Sequence, residues 1–122
     1  MIDSILLVDD EDLFHLVFED ACSLLDITLS LTSVSSSDDA SNMFKEWFES
    51  GKGKPSCAFI DLNILGSSFD GIELIRKINF EYGNEVVVGI ISSSNEESEK
   101  AKAIAACAQF WKIKSDEIEP RL

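Results

Sequence analysis

Basic residues are scarce in this 122-residue chain: ten Lys and Arg stand against twenty-three Asp and Glu, a net charge of −13. Phosphate backbones and anionic membranes are bound by clustered cations, so the shortage argues against either as a partner. A protein partner is expected to present a basic surface. Proline occurs only twice, and no repeat or linker-like stretch appears. The three cysteines, Cys22, Cys57 and Cys107, are odd in number and widely spaced. They match neither a disulfide framework nor a metal-ligand spacing, and their apolar contexts predict buried thiols in a reducing compartment. No apolar run reaches transmembrane length, and a charge at position 3 excludes an ordinary signal peptide. What is present in quantity is hydrophobic residues, 45% of the chain, enough for one folded domain over residues 1–122. A cytoplasmic protein is the expectation.

Residues 5–12 read "ILLVDDED", four apolar residues running into four carboxylates. Adjacent like charges repel, and a carboxylate near a core is costly unless a positive charge compensates it. Capping of a following helix is one explanation, and it suffices for Asp12. A divalent cation at Asp9 and Asp10 is the other.

The rest of the chain alternates between two periods. "SILLV" (4–8), "CAFI" (57–60) and "VVVGII" (86–91) are short unbroken apolar runs, which predict strands buried on both faces. "ITLSLTSV" (27–34) alternates through Ile27, Leu29 and Leu31 and suits an edge strand, and "FWKIK" (110–114) suits a last strand. Between them, Leu13, Val17, Phe18, Ala21, Leu24 and Leu25 form one helical stripe. Ala40, Met43, Phe44, Trp47 and Phe48 form a second, and Ile72, Ile75 and Ile78 a third. Residues 96–108 suit a fourth helix with an acidic start, and "SVSSSDD" supplies a cap. The order βαβαβαβαβ predicts a parallel sheet with helices on both faces and a functional crevice at the carboxyl ends of the strands.

Each strand end carries something polar: Asp9 and Asp10, Asp61, Ser92 and Lys114. In the strand order 2-1-3-4-5, Asp10 and Asp61 converge, and pooled carboxylates make a hard-oxygen site suited to Mg²⁺. Ser92 alone is a strand terminator and Lys114 alone a surface lysine. Beside an acidic metal site they describe a pocket for a phosphoryl group, with Asp61 as its nucleophile.

In these motifs the whole chain resembles the receiver domains of two-component response regulators, the CheY-like branch of the flavodoxin-like fold. "ILLVDDED" resembles the family's acidic first strand, "CAFIDLN" its phosphoacceptor strand and "DGIELIRKI" the helix that follows. The Ser92 to Lys114 spacing, with Trp111 at the switch-aromatic position, completes the likeness. It implies an α/β (βα)5-type three-layer sandwich whose parallel sheet has the order 2-1-3-4-5. It also implies that Asp61 takes phosphate from a sensor histidine kinase or histidine phosphotransfer protein. Mg²⁺ would be bound directly by Asp10, through water by Asp9, and by Asp61 and the Asn63 carbonyl. Ser92 and Trp111 would then reshape the surface around the fourth helix and fifth strand for a downstream protein, an output domain or a weak homodimer. Asn63 and Ser94 occupy positions that tune dephosphorylation. No enzyme activity is implied beyond self-catalysed phosphotransfer and autodephosphorylation.

Four departures stand out. Leu65 replaces a usual proline in a loop about two residues longer than the family's usual one, and Ser92 replaces the commoner threonine. Ser115 replaces the proline after the lysine, so that bond is expected trans and Lys112 becomes a second candidate for the phosphoryl contact. Pro120 leaves the last helix missing or truncated. A haloacid-dehalogenase-type phosphatase needs an acid where Asn63 stands, and "DDED" would repel the phosphate of a flavin nucleotide. The competing function is a phosphorylation-independent interaction module on the same fold. His15 is expected to face solvent and Trp47 to pack in the core.

Overall fold

The apolar runs form the centre of a parallel sheet. The structure, a computed structural model, describes residues 4–23, 30–52, 54–64, 70–83, 85–93 and 96–114. Its elements are β1 (Ser4–Val8), α1 (Asp12–Ser23), β2 (Ser30–Val34), α2 (Ser37–Ser50), β3 (Cys57–Asp61), α3 (Gly71–Tyr82), β4 (Val87–Ser92), α4 (Glu97–Ala105) and β5 (Trp111–Ile113). The sheet order is β2-β1-β3-β4-β5, all parallel, as the strand-end argument requires. The expected loop at 65–69 and the reduced helix after Lys114 lie outside the described residues, as do Ser94 and the first residues of the predicted second strand.

Side chains alternate across the sheet and divide the core in two. Leu6, Val8, Ala58, Ile60, Val88 and Ile90 pack with Ala40 and Phe44 of α2 and with Ile72, Leu74, Ile75 and Ile78 of α3. On the other face Ile5, Leu7 and Ile91 pack with Phe14 and Phe18 of α1. There the rings of Phe18, Phe59 and Phe110 form a chain, with centroids 5.2 and 4.9 Å apart. Gly89 makes room for its end, because a Cβ at that position would stand 2.3 Å from the Phe110 ring.

Local chemistry sets the helix starts. Ser36 caps α2 by accepting from the Asp39 N–H at 3.1 Å. Asp70 and Glu73 form a reciprocal capping box on α3, with contacts of 2.8 and 3.2 Å. The short β5 is lengthened by a side chain: Gln109 Oε1 accepts from the Val88 N–H at 2.9 Å while the Gln109 N–H donates to the Val88 carbonyl.

Four expectations are corrected. The buried stripe of α1 is Phe14, Phe18, Ala21 and Cys22, whereas Leu13 is 73% and Leu16 61% exposed and Val17 is exposed with them. The helix is rotated because Phe14, joined to Phe18 in the core, buries a large ring that would otherwise face water in place of the smaller Leu13 and Val17. On α2 the stripe ends in Phe48, which is half-exposed beside Tyr82. Cys57 is buried, but Cys22 is only partly so and Cys107 is exposed, in a left-handed conformation (φ 74°) just past α4. His15 is partly buried and hydrogen-bonds the Asp9 carbonyl.

The rotation of α1 gives a direct prediction. Phe14→Ala should cost about 3–5 kcal/mol in urea unfolding, while Leu13→Gln should change stability by no more than about 0.5 kcal/mol. The reverse order of losses would restore the stripe through Leu13 and Val17.

Candidate functional site

Asp9 and Asp61 follow or end β1 and β3 on the sheet face covered by α1, and Lys114 follows β5 on the same face. Asp9 is fully buried and Asp61 nearly so. Two buried carboxylates side by side are unfavourable, and the Lys114 ammonium compensates them. Its Nζ lies 2.9 Å from Asp9 Oδ2, 3.1 Å from Glu11 Oε1 and 3.5 Å from Asp61 Oδ1. A fourth side of the ammonium faces the Phe14 ring, 4.5 Å from its centroid. Lys114 is therefore a cation within ion-pair reach of Asp61. Lys112 sits opposite Ile91 in the β4–β5 register.

The backbone around Asp9 is fixed from three directions. Its N–H donates to the Val34 carbonyl, its Oδ1 accepts from the Glu11 N–H at 2.8 Å, and its carbonyl accepts from His15 Nε2. Oδ2 of Asp9 has its ion pair with Lys114 but no aligned hydrogen-bond donor. Oxygens of Asp9, Glu11 and Asp61 lie within 4.8 Å of one another. An all-oxygen anionic set with one buried, unaligned carboxylate oxygen fits a hard divalent cation.

Asp10 is partly buried, near enough for its charge to act on Asp61. Burial pushes the Asp61 carboxyl up to about 7, with Asp9 and Asp10 adding to the rise and Lys114 opposing it. Burial alone would lower the Lys114 ammonium. Asp9, Asp61 and Glu11 outweigh that and leave it raised. Asn63 is exposed two residues beyond Asp61. Ser92, buried at the end of β4, and Trp111 of β5 lie on the opposite sheet face, the one covered by α2 and α3. Trp111 packs against that core with its indole N–H buried and unpartnered.

Sequence reasoning gave Glu11 no role beyond the acidic run and gave Phe14 none at all. The pattern of a carboxylate next to Asp9 and Asp10 was visible, but nothing in the sequence shows that it meets a lysine 103 residues away. A second omission is Gly71, the first residue of α3. A Cβ there would stand 2.2 Å from the Asp61 carbonyl oxygen, so glycine lets α3 start directly against the end of β3.

No family model and no curated protein matches the chain. Solved structures do. A two-component response regulator from Cytophaga hutchinsonii superposes with a TM-score of 0.81 at 28% identity, over 99% of this chain and 88% of that one. The phosphorylated cyanobacterial phytochrome response regulator RcpA gives 0.82 at 18% identity, over 97% and 84%. NtrX from Brucella abortus gives 0.77 at 24% identity over 93% of this chain, which spans only 23% of NtrX. The fold and strand order are thus those of response regulator receiver domains, the CheY-like class of two-component signalling. Among the described residues no helix is long and apolar enough to cross a membrane.

Two predictions follow from this geometry. Gly71→Ala should destabilise by roughly 1–3 kcal/mol, because the obstacle is backbone that cannot rotate away, as read by urea unfolding. The second concerns pH. Asp61 holds its proton in the folded chain up to about 7 but releases it near 3.8 when unfolded. The folded state thus binds more protons between these values, and stability falls as pH rises through them. Asp61→Asn removes this loss. In chelator it should match the wild type near pH 4 and exceed it above pH 7, by at most on the order of 4 kcal/mol. A pH-independent difference in unfolding free energy would contradict the assignment.

Proposed function

We propose that this domain is a phosphoacceptor switch, in which Asp61 takes a phosphoryl group from a phosphohistidine of a sensor histidine kinase or histidine phosphotransfer protein. The observation that carries the reading is the buried Asp61 at the end of β3 with Asp9 and the Lys114 ammonium beside it. An ionised Asp61 oxygen attacks phosphorus. The P–N bond breaks with its electron pair going to the leaving imidazole, which takes up a proton from solvent, and an aspartyl phosphate remains. Lys114 stabilises the charge gathering on the phosphoryl oxygens, and Ser92 donates its hydroxyl hydrogen to one of them.

Asp9, Asp10 and Asp61, with the main-chain carbonyl of Asn63, are the residues that would hold Mg²⁺. When bound, it supplies the positive charge that lets Asp61 ionise beside two other carboxylates. A related solved structure, the response regulator Rcp1, is in an Mn²⁺-bound form, which supports a divalent cation here. Bound phosphate would pull Ser92 inward and Trp111 would move into the space it vacates, which would couple the chemistry to the α4–β5 surface. The domain works in the cytoplasm, with a downstream protein or output domain as its target and no enzymatic turnover beyond its own phosphorylation and dephosphorylation. The net charge of −13 favours partners with basic docking surfaces.

Intact-mass spectrometry after incubation with acetyl phosphate is the test. A gain of one phosphoryl group that requires Mg²⁺, is labile to base and is lost in Asp61→Asn is the expected result. No gain, together with no Mg²⁺ binding and no beryllofluoride complex, would instead establish a phosphorylation-independent interaction module on this fold.

A further inference from the structure

In the resting domain the Lys114 ammonium has no donor to spare. It has three N–H bonds and three carboxylate neighbours, Asp9 at 2.9 Å, Glu11 at 3.1 Å and Asp61 at 3.5 Å, with the Phe14 ring on another side. A phosphoryl oxygen on Asp61 inherits the longest of these contacts, and drawing the ammonium in to it means loosening one of the two shorter ones.

The three partners are not equal. Asp9 is fully buried, and a buried carboxylate stripped of its cation is strongly penalised. Asp61 is the residue that carries the phosphoryl group. The Glu11 side chain is 64% exposed, so water replaces the ammonium at little cost. Its backbone stays put whatever the side chain does. The Glu11 N–H is held by Asp9 Oδ1, and its carbonyl accepts from the N–H groups of Phe14 and His15 in the first turn of α1.

We infer that Glu11 is a positioning residue that holds Lys114 in the resting domain and yields it to the phosphoryl group. The inference rests on the function proposed above. Glu11 acts as an internal competitor, an anion that occupies the lysine until a more highly charged anion forms on Asp61. It thereby sets how readily the site is phosphorylated without touching the reacting atoms.

Glu11→Gln keeps the shape and removes the charge. With saturating Mg²⁺, it should take phosphate from acetyl phosphate and bind beryllofluoride roughly two- to fivefold better than the wild type, the range expected for losing one exposed ion pair. Its Mg²⁺ affinity, measured by calorimetry, should fall by no more than a few-fold, since Glu11 is the exposed member of the cluster with Asp9 and Asp61. In a Lys114→Met background the same substitution should have no effect on beryllofluoride affinity, a dependence that a merely structural role would not show. Slower phosphorylation with weaker Mg²⁺ binding would overturn the inference and make Glu11 a cation ligand. Unchanged rates and affinities, or an equal gain in the Lys114→Met background, would overturn it as well. A wild type that accepts neither phosphoryl group nor beryllofluoride overturns the proposed function and this inference with it. A working wild type with any of the other contrary results removes the inference alone.

Discussion

The Lys114 ammonium among the carboxylates of Asp9, Glu11 and Asp61 is the interaction on which this architecture depends. Asp9 and Asp61 are placed together by the parallel pairing of β1 with β3, and a parallel sheet with covered faces leaves their carboxylates little water. Such a pair is tolerable only if a cation reaches it. That cation comes from β5, on the far side of β4, which explains why a long side chain is used and why β5 must be well registered despite its three residues. Gln109 contributes to that register, since its amide oxygen pairs with β4 before the strand proper begins.

Both helices that follow the acidic strands are shaped by the same site. α1 has two tasks in its first turns: Phe14 fills the core and also offers its ring face to Lys114, while His15 turns back to the Asp9 carbonyl. These requirements fix the rotation of the helix and push Leu13, Leu16 and Val17 outward. At the start of α3, Gly71 lets the helix begin against the Asp61 carbonyl. Its N–H donates to the Leu62 carbonyl at 3.1 Å, tying the helix to the strand end. Strand ends and helix starts are thus coupled pairwise, and the carboxylates are positioned by backbone more than by their own side chains.

Much of this was legible in the sequence. Short β-branched apolar runs bounded by polar residues favour strands, so β1, β3 and β4 and the alternation with helices could be read directly, as could the meeting of the β1 and β3 ends, although the sequence set Asp10 against Asp61 where the structure sets Asp9. The phase of α1 was not. Its first turns, "LFHLVF", are apolar on nearly every side, and two stripes at helical spacing compete. Tertiary burial of Phe14 and Phe18 decides between them. Cys107 was misjudged for a related reason: an apolar neighbourhood says nothing of a left-handed turn just past a helix end, where the side chain points to water. Glu11 was lost in its own acidic run, because its partner lies at the other end of the chain and sequence spacing carries no sign of the contact.

The raised carboxyl of Asp61 adds a constraint on the chemistry itself. With the group raised to about 7, cation-free molecules near neutral pH hold Asp61 partly protonated, and a protonated carboxyl is a poor nucleophile toward phosphorus. Lys114 opposes the shift but cannot cancel it, since it divides its charge among three carboxylates. Under the proposed function, positive charge from a bound cation would ionise Asp61 as well as steady the incoming phosphoryl group. The acidic crowding that seems wasteful in "DDED" then has a physical sense. A site that is electrostatically under-compensated at rest is one that a divalent cation would complete, and under the proposed function the anion formed on Asp61 would draw on the same lysine that holds the resting state together.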